Sequence, residues 1–213
     1  MSFRKDFTHR DELFKYALEE FSARGYEQAS INTILEKAGM SKGQFYYHFK
    51  SKEALYLALI AEVIQRKQAY LGKMMRPEEF DQDIFSIFRA QMKHGLAFTR
   101  EHPEVSRFSE SFLRERGSAI YRKALSIHNF ENNEQVTGLV DRALERGELR
   151  GDLPAQFMQN LVGYLFTHAG DLANLVQVED FGQGMNHIID FLKDGLSKEG
   201  TAERGINHSL KVN

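Results

Sequence analysis

No cysteine occurs among the 213 residues, which removes disulfides, thiolate nucleophiles and zinc–cysteine sites together. Proline is scarce, at three, and repeats and low-complexity tracts are missing, so disordered, collagen-like and solenoid architectures drop out. Apolar runs reach only a few residues, too short to span a bilayer. The polar start MSFRKDFTHRDE lacks the apolar centre of a signal peptide, so a cytoplasmic protein with no membrane partner is expected. The eight histidines never fall into HExxH or a tight ligand cluster, and neither a metal site nor a cofactor is expected. No spacing marks a catalytic triad, a phosphate loop or paired catalytic carboxylates, so the chain does not read as an enzyme.

What is present is 42% apolar residues, enough core for one large domain or for a small module joined to a larger one. Charge is divided unevenly. Residues 1–76 carry 13 Lys and Arg against 9 Asp and Glu, and residues 77–213 carry 15 against 21. No acid lies between Glu36 and Glu53, whereas Lys37, Lys42, Lys50 and Lys52 all do. A phosphate backbone is drawn to such a window and repelled elsewhere; on charge alone, a merely solvated basic surface explains it equally well.

Apolar residues return at three- and four-residue intervals from end to end, which predicts an all-α protein. Thr8 or Asp11 is the expected cap of a first helix with Leu13, Phe14, Ala17, Leu18 and Phe21 inward, ending at Gly25. Ser30 is expected to cap a second helix that Gly39 closes, with Met40 plugging the turn. Ser41 opens a third with Gln44 at capping-box spacing and Phe45 and Phe49 as its buried stripe. Ser51 opens a fourth that runs toward Met74. Beyond Arg76-Pro77 longer helices are expected: one ending near His102-Pro103, one starting at Pro103, one from Ala119 to Arg146 that the polar run at 128–133 kinks, and two more over Ala155–Val176 and Asp180–Ser197. This divides the chain into a small helical unit at 1–52, a connecting helix at about 52–75, a larger helical unit at 76–198 and a flexible tail at 199–213.

On the third helix Gly43, Gln44 and Tyr47 turn outward from Phe45 and Phe49, flanked by Tyr46 and His48. Gln44 is suited to adenine and Lys42 to guanine. Gly43 costs a helix about 1 kcal/mol relative to Ala and lets a backbone approach closely. Tyr46, Tyr47 and His48 are suited to phosphate oxygens, and Lys52 adds a charge at the start of the fourth helix. Each has a plain alternative: half-buried aromatics for the tyrosines, a weak helix start for the glycine. Their coincidence in one capped, acid-free dozen positions favours double-stranded DNA as partner.

The marks F-x-x-x-G-Y at 21–26, I-x-x-x-A-G-M-S-K-G at 34–43 and F-Y-Y-H-F-K-S-K-E at 45–53 resemble the DNA-binding domain of the TetR family of bacterial transcriptional regulators, as does ERGELRGDLP at 145–154 more faintly. The resemblance implies an N-terminal helix-turn-helix domain and a larger helical ligand-binding and dimerisation domain. It places Lys42, Gly43, Gln44, Tyr46, Tyr47, His48 and Lys52 at DNA-contacting positions. It sets Ser30 against a phosphate, although its role as an N-cap alone would explain that serine. It implies a homodimer joined by the last two helices through Phe157, Leu161, Leu165, Ile188, Phe191 and Leu192, each of which is equally explained as intrachain core. It also implies a pocket for a small, hydrophobic or aromatic effector, for which Phe88, Met92, Phe112, Tyr121 and His168 are the expected lining, against the simpler reading of all five as core. The function so implied is a repressor released from a palindromic operator by its effector; the alternative is a small-molecule sensor or interaction protein of the same fold that does not read DNA.

Overall fold

The computed structural model describes residues 3, 7–128, 134–172 and 178–198. Expectations for 129–133, for the helix end near Val176 and for the tail at 199–213 lie outside the described residues. The elements are α1 (Arg10–Gln28), α2 (Ile31–Ala38), α3 (Lys42–Phe49), α4 (Lys52–Met74), α5 (Pro77–Phe80), α6 (Ile84–Glu101), α7 (Pro103–Arg114), α8 (Ala119–Ile127), α9 (Glu134–Glu145), α10 (Ala155–Thr167), α11 (Ala169–Leu172) and α12 (Val178–Leu196). The fold is all-α: among the described residues the only extended pairing is an isolated bridge between Leu149 and Ser197.

Serine caps set the first boundaries. Ser30 accepts from the Thr33 amide, Ser41 from that of Gln44 and Ser51 from that of Ala54, each satisfying one of the donors that a helix start leaves open. Gly39 closes α2 with φ 65° and Gly25 breaks α1 with φ 70°, a left-handed geometry that glycine adopts without a Cβ clash. The cap of α1 differs from expectation. His9 holds it with φ 67° and no side-chain bond, because the Arg10 amide closes a tight turn onto the Phe7 carbonyl (3.1 Å) and Phe7 is held among rings. The long helix expected from Ala119 instead stops at Ile127, where the His128 amide turns back to Ala124 and Ser126. Similarly, the helix from Ala155 stops at Thr167 before the short α11.

The buried apolar residues form two clusters. The first gathers Leu13, Phe14, Ala17, Leu18 and Phe21 of α1 with Ile34, Leu35, Phe45, Phe49, Leu55 and Leu59, and it continues past residue 76 into Phe98, Val105, Phe108, Ile120 and Ala124. The second joins α6, α9, α10 and α12 through Ile84, Phe88, Val140, Met158, Val162, Ile189 and Leu192. Each large side chain so buried is worth about 1.5–3 kcal/mol relative to exposure. Across the first cluster, α7 is bolted to α1: the buried Ser111 hydroxyl donates to the Phe21 carbonyl (2.9 Å) and Glu115 Oε1 accepts from the Tyr26 amide (2.8 Å). The phrase at 145–154 has a structural task of its own. Glu148 Oε2 accepts from the Ile84 amide at the start of α6, and its carbonyl accepts from Lys198. Arg150 donates to the Gly195 carbonyl at the end of α12 while pairing with Asp152. No helix among the described residues is long and apolar enough to cross a membrane.

Candidate nucleic-acid interface

Two short helices, α2 and α3, meet through the turn Gly39-Met40-Ser41, with Met40 5% exposed beneath it. Phe45 and Phe49 are fully buried, their rings 6.0 Å apart, and they fix which way α3 faces. Lys42, Gly43, Gln44, Tyr46 and Tyr47 are left exposed on the other side. Tyr47 is 73% exposed and Tyr46, edge-on to Phe45, is 55% exposed. These are large exposures for aromatic rings, which nothing among the described residues covers. Gly43 has only one atom near a hypothetical side chain, Ser41 Oγ at 4.0 Å. No internal packing therefore requires glycine there.

Four of the expected contacts are engaged inside the protein. Gln44 Oε1 accepts from both the amide and the hydroxyl of Ser41, each at 3.0 Å, closing a capping box. Its carboxamide nitrogen remains for a base edge; reading adenine with both ends requires the oxygen to leave or share its cap. His48 is half-buried and stacked on Phe7 at 4.3 Å. Lys52 donates to the carbonyls of Glu27 (2.7 Å) and Ala29 (3.3 Å) and sits over the Tyr26 ring, so it seals the end of α1. Ser30 is half-buried, its hydroxyl spent on the cap of α2 and its amide donated to Glu20. Lys37 pairs with Glu19 at 3.0 Å. Of the lysines in the acid-free window, Lys42 and Lys50 are thus the ones whose ammonium has neither a hydrogen-bond nor an ion-pair partner among the described residues.

Sequence reasoning counted Lys50 in the basic window but gave it no contact of its own; it sits exposed with φ 54° between α3 and α4. The phenylalanines before α1 were given no role. Phe3 is fully buried and packs on Phe14 (5.5 Å) and Phe49 (5.1 Å); with Phe7 it props the inner side of α3. The spacing of Phe3, Phe7 and Phe14 is the signal that was available for this.

The other expected sites are dispersed. Phe88 is buried in the second cluster against the Phe166 ring (4.8 Å), with Met92 at that cluster's edge. Phe112 lies against Tyr121 (4.8 Å) beside the first cluster, and His168 lies by Tyr164 (4.3 Å). Phe88 and Met92 thus sit with one cluster and Phe112 beside the other. The shallow cleft present among the described residues is lined by others, including Phe80, Ile84, Leu139 and Arg142. Of the six expected interface residues, Leu192 (1% exposed) and Ile188 (9%) point into their own core, Leu161 and Leu165 are half-buried, and Phe157 (51%) and Phe191 (66%) are open to solvent. Tyr164 (50%) and Leu172 (56%) are exposed as well.

The architecture is that of a helix-turn-helix protein whose second helix offers hydrogen-bond donors to a groove. Residues 13–59 match the family of bacterial regulatory proteins, tetR family. The chain is 22% identical over 199 residues to the HTH-type transcriptional repressor AcnR of Corynebacterium glutamicum, covering 89% of this chain and 93% of AcnR. It is 34% identical over 97 residues to the HTH-type transcriptional regulator RutR of Escherichia coli K12, covering 45% and 43%. Its fold is that of a TetR family transcriptional regulator from Chloroflexus aurantiacus (TM-score 0.59, 24% identity, 92% and 96% covered). The same fold occurs in a protein whose structure was described as the molecular basis for control of antibiotic production by bacterial hormones (TM-score 0.62, 21% identity, 91% and 100% covered). The helix-turn-helix unit at 13–59 thus matches the tetR family of bacterial regulatory proteins, and the relatives that the chain resembles are transcriptional regulators.

Proposed function

We propose that this chain is a homodimeric repressor that binds a palindromic operator and leaves it when a small apolar or aromatic molecule occupies the second unit. The observation that carries the reading is the outer face of α3: Lys42, Gly43, Tyr46 and Tyr47 stand exposed on a helix whose own caps and core are satisfied. Such a face has no internal use. Residues 1–52 present it, Lys50 adds charge beside it, and α4 connects it to the unit beyond residue 76. A dimer is supported by the exposed Phe157, Tyr164, Leu172 and Phe191 on α10, α11 and α12, helices that pack on one another, since large exposed apolar side chains gathered on neighbouring elements mark an interaction site. Two-fold pairing would set two copies of α3 in major grooves roughly 34 Å apart or somewhat more. A repressing role is supported by the name of the relative AcnR.

Coupling runs through α4 and, more directly, through α7, because Ser111 and Glu115 hold the carbonyl of Phe21 and the amide of Tyr26. An effector that shifts α7 tilts α1 and the helices seated on it, lowering operator affinity by its differential affinity for the two arrangements. A DNA-independent sensor is the second reading, favoured by the internal engagement of Gln44 Oε1 and Lys52. Sedimentation of wild type and Phe191→Glu with a labelled palindromic duplex tests the choice. The repressor reading expects two wild-type protomers per duplex and a monomeric, weakly binding Phe191→Glu; equal and salt-sensitive binding to every duplex sinks it.

A further inference from the structure

The residues before α1 touch the helix-turn-helix at three places. The Phe3 ring lies 5.1 Å from that of Phe49, the Phe7 ring stacks on His48 at 4.3 Å, and the His9 imidazole comes within 3.8 Å of where a Cβ on Gly39 would sit. Two of these contacts fall on α3 and the third on the turn that leads into it. Phe7 also meets Phe49 edge-on at 6.0 Å, so the C-terminal end of α3 rests on two rings from this segment. The first residues of a chain hold their place only where contacts tie them down. Arg10 is the tie. Its Nε donates to the Phe3 carbonyl, and an Nη donates to Glu62 on α4 at 3.1 Å, as the forked donors of one guanidinium allow. Glu62 is only 7% exposed and accepts from Arg66 as well, at 3.0 Å, while the Arg66 guanidinium lies over the Phe14 ring at 3.9 Å. Phe14 in turn meets Phe3 edge-on at 5.5 Å. The segment is thereby fastened to a buried carboxylate of α4 at one end and to α3 at the other.

We propose that Arg10 is a positioning residue for DNA recognition: by pinning Phe3 to α4 it closes a clasp of Phe3, Phe7 and His9 that sets the tilt of α3. This rests on the DNA-binding reading above and deepens it, because it adds a path from α4 to α3 that bypasses their direct link through Lys50 and Ser51. A shift of α4 at Glu62 draws on Phe3 and Phe7, and through them on Phe49 and His48. The recognition face is thus adjusted from behind. The role of Arg10 is geometric rather than electrostatic, since its side chain is 25% exposed and its charge is already answered by Glu62 and by Asp11 at 2.8 Å. Removing it leaves Glu62 paired with Arg66, so the buried carboxylate stays compensated while the clasp loses its anchor.

The test compares the full chain with Arg10→Met, Arg10→Lys, Phe7→Ala and the double variant of Arg10→Met with Phe7→Ala. Amide exchange read by mass spectrometry reports the clasp without DNA. Arg10→Met and Phe7→Ala are each expected to speed exchange over residues 42–49 about tenfold or more while leaving residues 178–196 as in wild type. Binding is then followed by fluorescence anisotropy at several salt concentrations, with the duplex that wild type selects from a random pool and with a scrambled duplex of the same length. Arg10→Met is expected to weaken the selected duplex about tenfold or more and the scrambled one less than about twofold, with the salt dependence unchanged. Arg10→Lys is expected to recover part of the loss. The double variant is expected to bind no worse than the weaker single variant, because both changes open one clasp. The assignment is overturned by unchanged exchange over 42–49, by equal acceleration in both regions, by additive losses in the double variant, or by a shallower salt dependence that would make Arg10 a phosphate contact. A wild type that selects a duplex which Arg10→Met binds equally well overturns this assignment alone. A wild type that selects no duplex, with the exchange result as expected, overturns the DNA-binding reading and leaves the clasp standing as the anchor of α3.

Discussion

Replacing Gln44 by Glu separates the structural role of this residue from its DNA role. In the free protein Gln44 Oε1 accepts from the Ser41 amide and hydroxyl at 3.0 Å, a task that a glutamate carboxylate performs equally well at the third position of a capping box. Its charge also lies within the first turn of α3, where an anion gains about 0.3–1 kcal/mol from the helix dipole. Stability should therefore be unchanged or rise by up to about 1 kcal/mol. On DNA the sign reverses. Glutamate has no amide hydrogen for adenine N7, and it would be the only acid between Glu36 and Glu53. Loss of a base contact costs about 1–3 kcal/mol per site, hence about 2–6 kcal/mol for two copies on one operator, or roughly 30-fold to ~10⁴-fold in affinity. Urea melts give the first quantity and fluorescence anisotropy with a labelled duplex at fixed salt gives the second. A variant that keeps both stability and DNA affinity would refute the placement of α3 in the groove; one that loses stability would refute the capping geometry.

Gly43→Ala should raise stability by about 0.5–1 kcal/mol, since the space above Gly43 is open, while weakening operator binding; paired melts and titrations check it, and a gain in both would remove the close-approach argument. Phe7→Ala, which removes the ring stacked on His48, should cost about 1–2 kcal/mol and lower DNA affinity without altering the salt dependence of binding, because no phosphate contact is lost. Asp83 caps α6 by accepting from Phe85 and Ser86. Burial alone would raise its carboxyl pKa, but the Ser86 and Phe85 hydrogen bonds and the Lys193 charge outweigh that and leave it below the ordinary 3.8. Its stabilisation is then complete above the unfolded value and lost as pH falls through the lower folded one. Asp83→Ala should therefore cost about 1 kcal/mol at neutral pH and flatten acid-range melts relative to wild type; parallel curves for the two proteins would contradict this.

Much of the architecture was legible because serine caps and glycine exits are local signals. Ser30, Ser41 and Ser51 each open a helix where their spacing placed it, and Gly39 and Gly25 end or break one. The errors arise where distant contacts override local preference. His9 holds the cap of α1 because Phe7 is drawn into a ring cluster with Phe3, Phe49 and His48, a long-range constraint on a turn that Thr8 or Asp11 would otherwise define. The helical pattern after Ala119 carried no strong stop, and the end at Ile127 rests on His128 turning back. Among the expected contacts, side-chain type alone could not tell Tyr47, open to solvent, from Lys52, whose ammonium seals the end of α1. The attachment of α7 to α1 was invisible for the same reason: Ser111 and Phe21 lie 90 residues apart. The expected pocket residues were chosen for apolar and aromatic character at helical spacing, and packing sends Phe88 and Met92 to one cluster and Phe112 to the edge of the other, the ordinary fate of such side chains.

Selection of bound sequences from a random duplex pool by the purified wild-type chain, at one fixed salt concentration, tests the central claim most directly. The account predicts enrichment of a palindrome whose half-sites lie about one helical turn or more apart. Enrichment of nothing above the salt-sensitive background, or of a site without two-fold symmetry, would contradict it.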